Sequence, residues 1–258
     1  MGADRPATPV VRFDEIGSTN QEALARATGA GAGSVLAPCW FVAARQSAGR
    51  GRRGRPWDSR PGNLYASLLL VDPAPPVRQP ELCFVAALAL YDAVRAVTGI
   101  DPLRIGVKWP NDVLIDGGKL AGILLEGTMT ADGRGATVIG FGVNCARSPE
   151  DTPYPTVSLT GAGFPTEPDS LLAALDAAML DRLAQWDRGE GFPRTRESWL
   201  RCAFGLGRAV TVRLQGRETE GIFEALDFSG ALVLRRPDGV RETIRAGDIF
   251  PSSAGQAR

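Results

Sequence analysis

Short apolar runs and longer amphipathic segments alternate along the first half of this chain. The runs predict strands at Val10 to Asp14, Trp40 to Gln46 and Leu64 to Val71, because each is too short for a buried helix. Pro80 to Val97 keeps apolar residues at helical spacing and stops at Gly99, a residue type that commonly ends helices in the left-handed conformation. The pattern therefore predicts strands with at least one long helix between them.

Further helices are predicted where apolar positions repeat at helical spacing. Ser18 opens a short helix that runs through about Arg26, with Ser18 and Gln21 at the spacing of a capping box. Ser170 to Asp187 and Thr195 to Phe204 are also predicted to be helical. Residues 146–168 hold five prolines, so we expect a surface excursion there.

The remaining strands fall into two groups. Ile105 to Trp109 and Val113 to Ile115 are predicted strands, and the turn signal Asp116-Gly117-Gly118 folds Lys119 to Glu126 back antiparallel, followed by Thr137 to Asn144. Past Gly205 the pattern changes to short alternating strands. These are predicted at Arg208 to Leu214, Glu218 to Leu226, Ala231 to Arg236 and Val240 to Ile244, with Gln215-Gly216 as one of the turns.

These elements predict an α+β (mixed α/β) fold. A central mixed β-sheet flanked by helices occupies residues 1–204, and a small C-terminal SH3-like β-barrel occupies residues 205–258. A chain of 258 residues is long enough to bury a large core without disulfides or a structural metal.

Composition removes several classes of function. The chain has 29 basic and 29 acidic residues, so no overall charge attracts it to nucleic acid or to a membrane surface. It contains no histidine, which excludes Ser-His-Asp and Cys-His hydrolases and the HExxH zinc proteases. Any anion site must therefore be local and must work without a histidine base.

The cysteines and the N-terminus point to an intracellular chain. Cys39, Cys83, Cys145 and Cys202 form no CxxC pair, so we expect reduced, buried thiols rather than a zinc or redox site. The first fifteen residues contain no apolar signal segment, and no stretch reaches the ~20 apolar residues of a membrane span. We expect a cytoplasmic protein with no membrane partner.

A segment rich in glycine and arginine separates the second and third strands. It reads GRGRRGRPW over residues 49–57, and six arginines accompany one aspartate between Arg45 and Arg60. The glycines also match GxGxxG, but Pro56 and Pro61 prevent the long helix that a dinucleotide fold requires. From these residues alone, a cradle that closes over phosphates, a solvated linker and an RNA-contacting segment all remain open.

Lysine is rare in this chain, and both lysines flank one predicted hairpin. Of the 29 basic residues only Lys108 and Lys119 are lysine. This indicates that these positions need a compact ammonium group. Codon bias towards arginine is the alternative explanation. The two lysines begin the segments KWPNDV at 108–113 and KLAGILLE at 119–126. KWPND alone is also compatible with a plain turn.

In combination, these motifs resemble the biotin protein ligase family, the biotin-[carboxyl-carrier] ligases. GRGRRGRPW, KWPNDV and KLAGILLE follow Ser18-Thr19-Asn20 and precede GFGVN at 140–144, and the resemblance covers nearly the whole chain. It implies that biotin and ATP, with Mg²⁺, form biotinyl-5′-AMP, and that the biotinyl group then passes to a lysine of a biotin carboxyl carrier domain of a biotin-dependent carboxylase. The first 204 residues would be the biotin- and ATP-binding catalytic domain.

The resemblance also assigns roles to residues of this sequence. Lys119 would lie between the biotin carboxylate and the α-phosphate, Arg52 would act with it, and Asp112 would accept the proton of the incoming amine or position Arg52. The implied biotin contacts are Ser18, Thr19, Asn20, Gln46, Arg50, Gly51, Arg52, Lys119 and Gly122. The implied ATP and phosphate contacts are Arg52, Arg53, Arg55, Trp57, Asn111, Lys119 and Asn144. No metal ligands are indicated.

Two other functions remain as alternatives. A lipoate or octanoate protein ligase shares the implied fold and adenylate chemistry, although KWPND and GRGRRG fit the biotin branch better. A nucleic-acid-binding module would use the arginine segment, but that segment lacks interleaved aromatic residues.

Bifunctional family members carry a helix-turn-helix before the Ser-Thr-Asn segment; this sequence has 17 residues there, so we expect no specific DNA binding. A homodimer is left open.

Overall fold

A mixed seven-stranded sheet forms the larger part of the computed structural model, which describes residues 6–30, 33–214 and 216–252. Its strand order is β1-β2-β3-β7-β6-β5-β4; β1 and β2 are parallel and the other neighbours are antiparallel. The strands are β1 (Val10–Ile16), β2 (Cys39–Gln46), β3 (Leu64–Val71), β4 (Ile105–Lys108), β5 (Asp112–Ile115), β6 (Gly118–Met129) and β7 (Gly135–Val143).

Helices cover both faces of this sheet because its central strands are apolar on both sides. On β2, Trp40 packs into the larger core with the long helix, whereas its neighbour Phe41 packs into a second core with the first helix. Successive side chains of a strand point to opposite faces, which explains this division. The helices are α1 (Thr19–Thr28), α2 (Leu82–Thr98), α3 (Pro168–Trp186) and α4 (Phe192–Arg201).

The long helix agrees closely with its sequence pattern. α2 ends at Gly99, which has φ 67° and donates its backbone N–H to the carbonyl of Arg95, as the left-handed cap predicts. Asp92, a polar residue in this largely apolar helix, pairs with Arg182 of α3 at 2.7 Å. The capping box at α1 is wrong: the Ser18 side chain makes no capping hydrogen bond, and only its carbonyl accepts from Glu22.

A second, antiparallel sheet of five strands follows in the order β11-β10-β9-β8-β12. The turn prediction at Gln215 lies outside the described residues, and the last strand was missed by the sequence analysis. Its strands are β8 (Ala209–Arg213), β9 (Glu218–Leu226), β10 (Leu232–Arg235), β11 (Arg241–Ile244) and β12 (Asp248–Pro251). A four-residue strand that includes a proline gives little periodic signal, which is why β12 escaped detection.

The second sheet packs against the first through large aromatic side chains. Trp199 of α4 lies 5.6 Å from Phe84 of α2 and 6.5 Å from Phe223 of β9, measured between ring centroids. Trp109 Nε1 also donates to the carbonyl of Gly230 across this seam at 3.1 Å. The two sheets therefore share one apolar core, and the division of the chain at residue 204 stays a prediction.

The proline-rich stretch 146–168 is only partly the surface excursion that the sequence predicted. Leu159 is fully buried, and Lys119 donates its backbone N–H to the carbonyl of Pro155 while accepting from the N–H of Val157. The stretch is thus bonded along the start of β6 and brings Tyr154 to the cleft described below. Prolines interrupt its strand pairing, so no periodicity revealed this contact.

The thiols agree with the sequence expectation in part. All four cysteines are free; Cys39 and Cys145 are buried, whereas Cys83 and Cys202 are half-buried. Burial raises the pKa of Cys83 to about 12, so its thiol stays protonated. No helix within residues 6–30, 33–214 and 216–252 is long and apolar enough to cross a membrane.

Candidate active site

A cleft opens between the carboxyl end of β2, the start of β6 and the last strand of the second sheet. Thirteen of the fifteen predicted site residues line it. These are Ser18, Thr19, Asn20, Gln46, Arg50, Gly51, Arg52, Arg55, Trp57, Asn111, Asp112, Lys119 and Gly122. Arg53 and Asn144 are outside the lining. Residues separated by more than 100 positions in sequence therefore meet at one surface.

Both lysines of the chain point at one buried carboxylate in this cleft. Asp112 lies 2.8 Å from Lys119 Nζ and 3.1 Å from Lys108 Nζ, and all three side chains are largely buried. Burial alone would raise the pKa of Asp112, but the ammonium groups of Lys119 and Lys108 outweigh burial and hold it below its usual range. Asp112 is therefore a carboxylate that orients two cations, and the cluster carries net positive charge.

The hairpin that precedes Lys119 explains this arrangement. β5 begins at Asp112 and pairs with both β4 and β6, so Lys108 lies opposite Asp112 on one side and Gly122 on the other. Leu120 is fully buried, while Lys119, its neighbour on β6, faces the cleft, as alternation along a strand requires.

Two aromatic rings lie against the Lys119 ammonium. Its Nζ is 5.3 Å from the ring centroid of Trp57 and 5.5 Å from that of Tyr154, distances typical of cation–π contacts. Glycines make room for the indole: a Cβ at Gly142 would lie 2.5 Å from Trp57, and one at Gly122 would lie 3.1 Å from it. The buried Nε1 of Trp57 has no hydrogen-bond partner among the described residues, so one donor in the cleft is unused.

The arginine segment, residues 49–57, has local structure. Gly51 donates its backbone N–H to the carbonyl of Arg55 at 2.7 Å, and Arg52–Gly54 forms one 3₁₀ turn. The rejection of a long helix at this glycine motif is confirmed.

Its side chains are held mainly by a carboxylate of the second sheet. Asp248 of β12 lies 3.1 Å from Arg52, 3.7 Å from Arg53 and 2.9 Å from Arg55. Arg52 also donates to Asn111 Oδ1 at 3.0 Å. Asp248 and Asn111 therefore position Arg52, and the expected positioning of Arg52 by Asp112 is wrong in this arrangement.

A connected set of uncharged polar groups forms the other end of the cleft. Gln46 Oε1 accepts from the backbone N–H of Thr19 at 2.9 Å and from its hydroxyl at 3.1 Å. Ser67, fully buried on β3, lies 2.7 Å from the Thr19 hydroxyl and donates to Asn20 Oδ1 at 2.6 Å. These side chains supply both hydrogen-bond donors and hydrogen-bond acceptors in a largely buried environment.

The two predicted residues outside the lining have identifiable positions. Arg53 is exposed beside Asp248. Asn144 is buried and donates to the carbonyl of Val157 at 3.2 Å, with the carbonyl of Lys119 at 3.4 Å. Asn144 thus holds the proline-rich stretch against the start of β6, directly behind Lys119.

Sequence reasoning missed several residues that reach this site. Asp248 and Phe250 come from the undetected strand β12, and Tyr154 comes from the proline-rich stretch. Phe250 also lies 5.1 Å from Lys108 Nζ, measured to its ring centroid. None of these three belongs to a motif near the other site residues, so only the excess of arginine at 50–55 could have suggested a distant carboxylate partner.

The described residues offer no ready-made metal site. No three His, Cys, Asp or Glu side chains within 6–30, 33–214 and 216–252 come together in a way that could hold a metal ion. The carboxylates nearest the cleft, Asp112 and Asp248, are occupied by lysine and arginine partners.

Comparison with known proteins gives consistent results. The sequence model of the biotin/lipoate A/B protein ligase family matches residues 31–144, and that of the biotin protein ligase C terminal domain matches residues 205–250. The chain is 42% identical over 239 residues to the biotin–[acetyl-CoA-carboxylase] ligase of Paracoccus denitrificans, covering 90% of this chain and 96% of that protein.

A more distant relative and a solved structure extend the similarity. The biotin–[acetyl-CoA-carboxylase] ligase of Mycobacterium tuberculosis is 32% identical over 91% of this chain and 86% of its own length. The structure of the biotin protein ligase from Aquifex aeolicus in complex with biotin and ATP has a TM-score of 0.78, covering 94% of this chain and 97% of that chain. At 24% identity, this structural likeness concerns the fold.

Proposed function

The chain belongs to the biotin protein ligase family, and from that premise we propose that it activates biotin with ATP and transfers the biotinyl group to a lysine of a biotin carboxyl carrier domain. One observation carries the proposal. The cleft joins a polar, uncharged end around Gln46 to a strongly cationic end, where the Lys119–Asp112–Lys108 cluster meets the arginines of residues 50–55. Such a cleft suits a ligand with a neutral polar head and an anionic tail.

The neutral end fits the ureido ring of biotin. That ring offers two N–H donors and one carbonyl acceptor, and the Ser18 and Thr19 hydroxyls with the Asn20 and Gln46 amides supply the complementary groups. The buried position of Thr19 and Asn20 strengthens these hydrogen bonds and makes an unpaired group costly. A ligand without a ureido ring would offer these groups no matching N–H donors and carbonyl acceptor, which favours biotin over lipoate.

The cationic end fits adenylate formation without histidine. A carboxyl oxygen of biotin attacks the α-phosphorus of ATP, the bond to the β-phosphate oxygen breaks, and pyrophosphate leaves with its electron pair. Biotin's carboxylate is ionised near neutral pH, so no proton must be removed first. The barrier is repulsion between anions, and Lys119, with Arg52 and Arg55, lowers it by placing fixed positive charge between them.

Transfer to the carrier requires an uncharged lysine amine. That amine attacks the acyl carbon of biotinyl-5′-AMP, an amide bond forms, AMP leaves, and one proton is released. Asp112 is a weak proton acceptor because its pKa lies below the usual range, so we assign it to orienting Lys119 and Lys108. Release of the proton to solvent is sufficient for this step.

The ligands of Mg²⁺ would come from the nucleotide rather than from side chains of this protein. With Asp112 and Asp248 committed to cations, the described residues supply no dedicated cage, and the oxygens that Mg²⁺ prefers would come from the phosphates and water. The chain's own residues bind and orient the phosphates, and no step is assigned to the metal.

Intact-mass analysis of a carrier domain tests this function. Incubating the chain with ATP, Mg²⁺, biotin and a biotin carboxyl carrier domain should add one biotinyl group at one lysine, with release of AMP and pyrophosphate. Replacing biotin by lipoate under the same conditions should give no adduct. A lipoyl adduct without a biotinyl adduct would assign the chain to lipoate chemistry instead, and no adduct with either acid would overturn the proposal.

A further inference from the structure

Glu126 lies just outside the cleft and contacts both of its ends. It is on β6, seven residues after Lys119, and its side chain is 27% exposed. One carboxylate oxygen accepts from Asn20 Nδ2 at 2.8 Å, and the other lies 3.3 Å from a terminal nitrogen of Arg50. Asn20 belongs to the polar end of the cleft, whereas Arg50 opens the arginine segment, so one carboxylate joins the two.

Asn20 is held in a single orientation by its surroundings. Its Oδ1 accepts from the Ser67 hydroxyl at 2.6 Å, so its amide nitrogen must face Glu126. Gly140 leaves room for the Asn20 amide, because a Cβ at this position would clash with Asn20 Oδ1. A ligand that hydrogen-bonds to Asn20 therefore changes the position or the charge distribution of a group that Glu126 holds directly.

The arginine segment has further ties to the same polar groups. Gln46 Nε2 donates to the Ser59 hydroxyl at 3.1 Å, and that hydroxyl donates to the carbonyl of Trp57 at 3.0 Å. The far end of the segment thus connects to Gln46, while Glu126 connects its near end to Asn20. Hydrogen-bonded groups with shared partners are the physical basis for energetic coupling between sites.

We propose that Glu126 is a positioning residue that couples occupancy of the polar end of the cleft to the placement of Arg50 for phosphate binding. The inference rests on the proposed function, since it takes biotin and ATP as the two ligands. With biotin bound, Asn20 and Glu126 are fixed together, and Glu126 then holds Arg50 toward the cleft. Without a charge at position 126, Arg50 loses its anchor, and binding of one ligand enhances binding of the other much less.

The test measures how strongly each ligand enhances binding of the other. Calorimetry gives the affinity for an ATP analogue with a methylene between its α- and β-phosphates, with and without saturating biotin. In the unmodified chain, biotin should tighten analogue binding about fivefold or more, the low end of typical coupling between sites. In Glu126→Gln, which keeps an oxygen for Asn20 but no charge for Arg50, that factor should fall well below the value for the unmodified chain.

Glu15→Gln is the matched control. Glu15 pairs with Arg45 at 3.2 Å, a similar carboxylate–arginine contact at the base of the same segment, but it makes no contact with Asn20. Its coupling factor should equal that of the unmodified chain. Arg50→Gln, which leaves Asn20 bound to Glu126, should lose the coupling as Glu126→Gln does, and it serves as the second variant if Glu126→Gln does not fold.

The outcomes separate the inference from the proposed function. If the unmodified chain binds neither biotin nor the analogue, the proposed function fails. If it binds both but shows no coupling, or if Glu126→Gln and Arg50→Gln keep the full coupling factor, only the role of Glu126 is overturned. Equal loss of coupling in Glu15→Gln would likewise overturn it, because the effect would then be general to carboxylates near the segment.

Discussion

Lys119 holds a position in which charge, burial and neighbours all favour a compact ammonium. Asp112 compensates part of its charge, and Trp57 and Tyr154 contact it with their rings. A guanidinium is planar and longer, and it cannot replace a point charge among these groups. These contacts favour lysine over arginine at this position, in a chain that has 27 arginines.

Lys119→Met keeps most of the aliphatic stem and removes the charge. On the proposed role, in which the ammonium offsets repulsion between two anions, the adenylation rate should fall about a hundredfold or more, equivalent to about 3 kcal/mol of transition-state stabilisation. Lys119→Arg should be nearly as slow. Transfer from synthetic biotinyl-5′-AMP should suffer much less, and pyrophosphate release and transfer are measured separately. Equal slowing of both steps, or of neither, would make Lys119 a structural residue.

Asp112→Asn should change stability as well as activity. The pKa of Asp112 in the folded protein lies below its usual value of about 3.9, so its ion pairs stabilise the fold above that pH and lose this effect as pH falls through the folded pKa. Removing one partner of a buried charge cluster should cost about 3 kcal/mol at pH 7. Urea unfolding at pH 7 and pH 3 should show the difference between the variants shrinking in acid.

Asp116→Asn provides the comparison for this experiment. Asp116 also has a lowered pKa because Arg104 bonds to it at 2.6 Å, but both side chains are about half exposed. Solvent screens such a pair, so Asp116→Asn should lower the free energy of unfolding at pH 7 much less than Asp112→Asn does. If the two substitutions destabilise the chain equally, the buried cluster has no special energetic role.

At the level of elements, glycines on two adjacent strands create the space that the site needs. Gly122 of β6 and Gly142 of β7 lie opposite each other, and the Trp57 indole rests on both. If the usual strand pattern of alternating residues continued here, larger side chains would be expected at both positions. The glycines are instead explained by a ring that arrives from a different part of the chain.

Gly142→Ala tests that packing. The new methyl would lie 2.5 Å from the indole, so Trp57 must move away from Lys119. We expect at least a tenfold loss of adenylation, about 1.4 kcal/mol, together with a change in tryptophan fluorescence. Gly127→Ala is the control, because its methyl would meet only the carbonyl of Ala136 at 3.8 Å. Full activity in Gly142→Ala would contradict the placement of Trp57.

At the scale of the whole molecule, the second sheet completes the site of the first. Asp248 is 17% exposed at its side chain and holds three arginines that precede it by nearly 200 residues. Phe250 of the same strand contacts Lys108. A chain without this sheet would keep its motifs but would lose one wall of the cleft.

Asp248→Asn should loosen the arginine segment without unfolding the protein. Trypsin cleavage after Arg50, Arg52 and Arg53 should become about threefold faster or more, since partly buried ion pairs that restrain the segment are lost. The melting temperature should stay close to that of the unmodified chain. Asp238→Asn, which removes an exposed pair with Arg236, should leave the cleavage rate unchanged. An unchanged rate in Asp248→Asn would remove the proposed restraint.

The order and type of most elements could be predicted from local sequence patterns. β3 and β9 have the predicted bounds, and α2 ends at the predicted glycine, because local alternation, helical spacing and a cap residue are encoded within each segment. Most of the candidate site was also predictable, since GRGRRGRPW, KWPNDV and KLAGILLE bring their residues as contiguous motifs.

The partners of these motifs, in contrast, depend on how distant segments pack together. Asp112 could not be assigned to Lys108 and Lys119 rather than to Arg52 until the hairpin register was known, because one residue of shift moves every side chain to the other face. Asp248 and Tyr154 reach the cleft from separate parts of the chain. Their placement depends on how the sheets pack, which no local pattern of residues records.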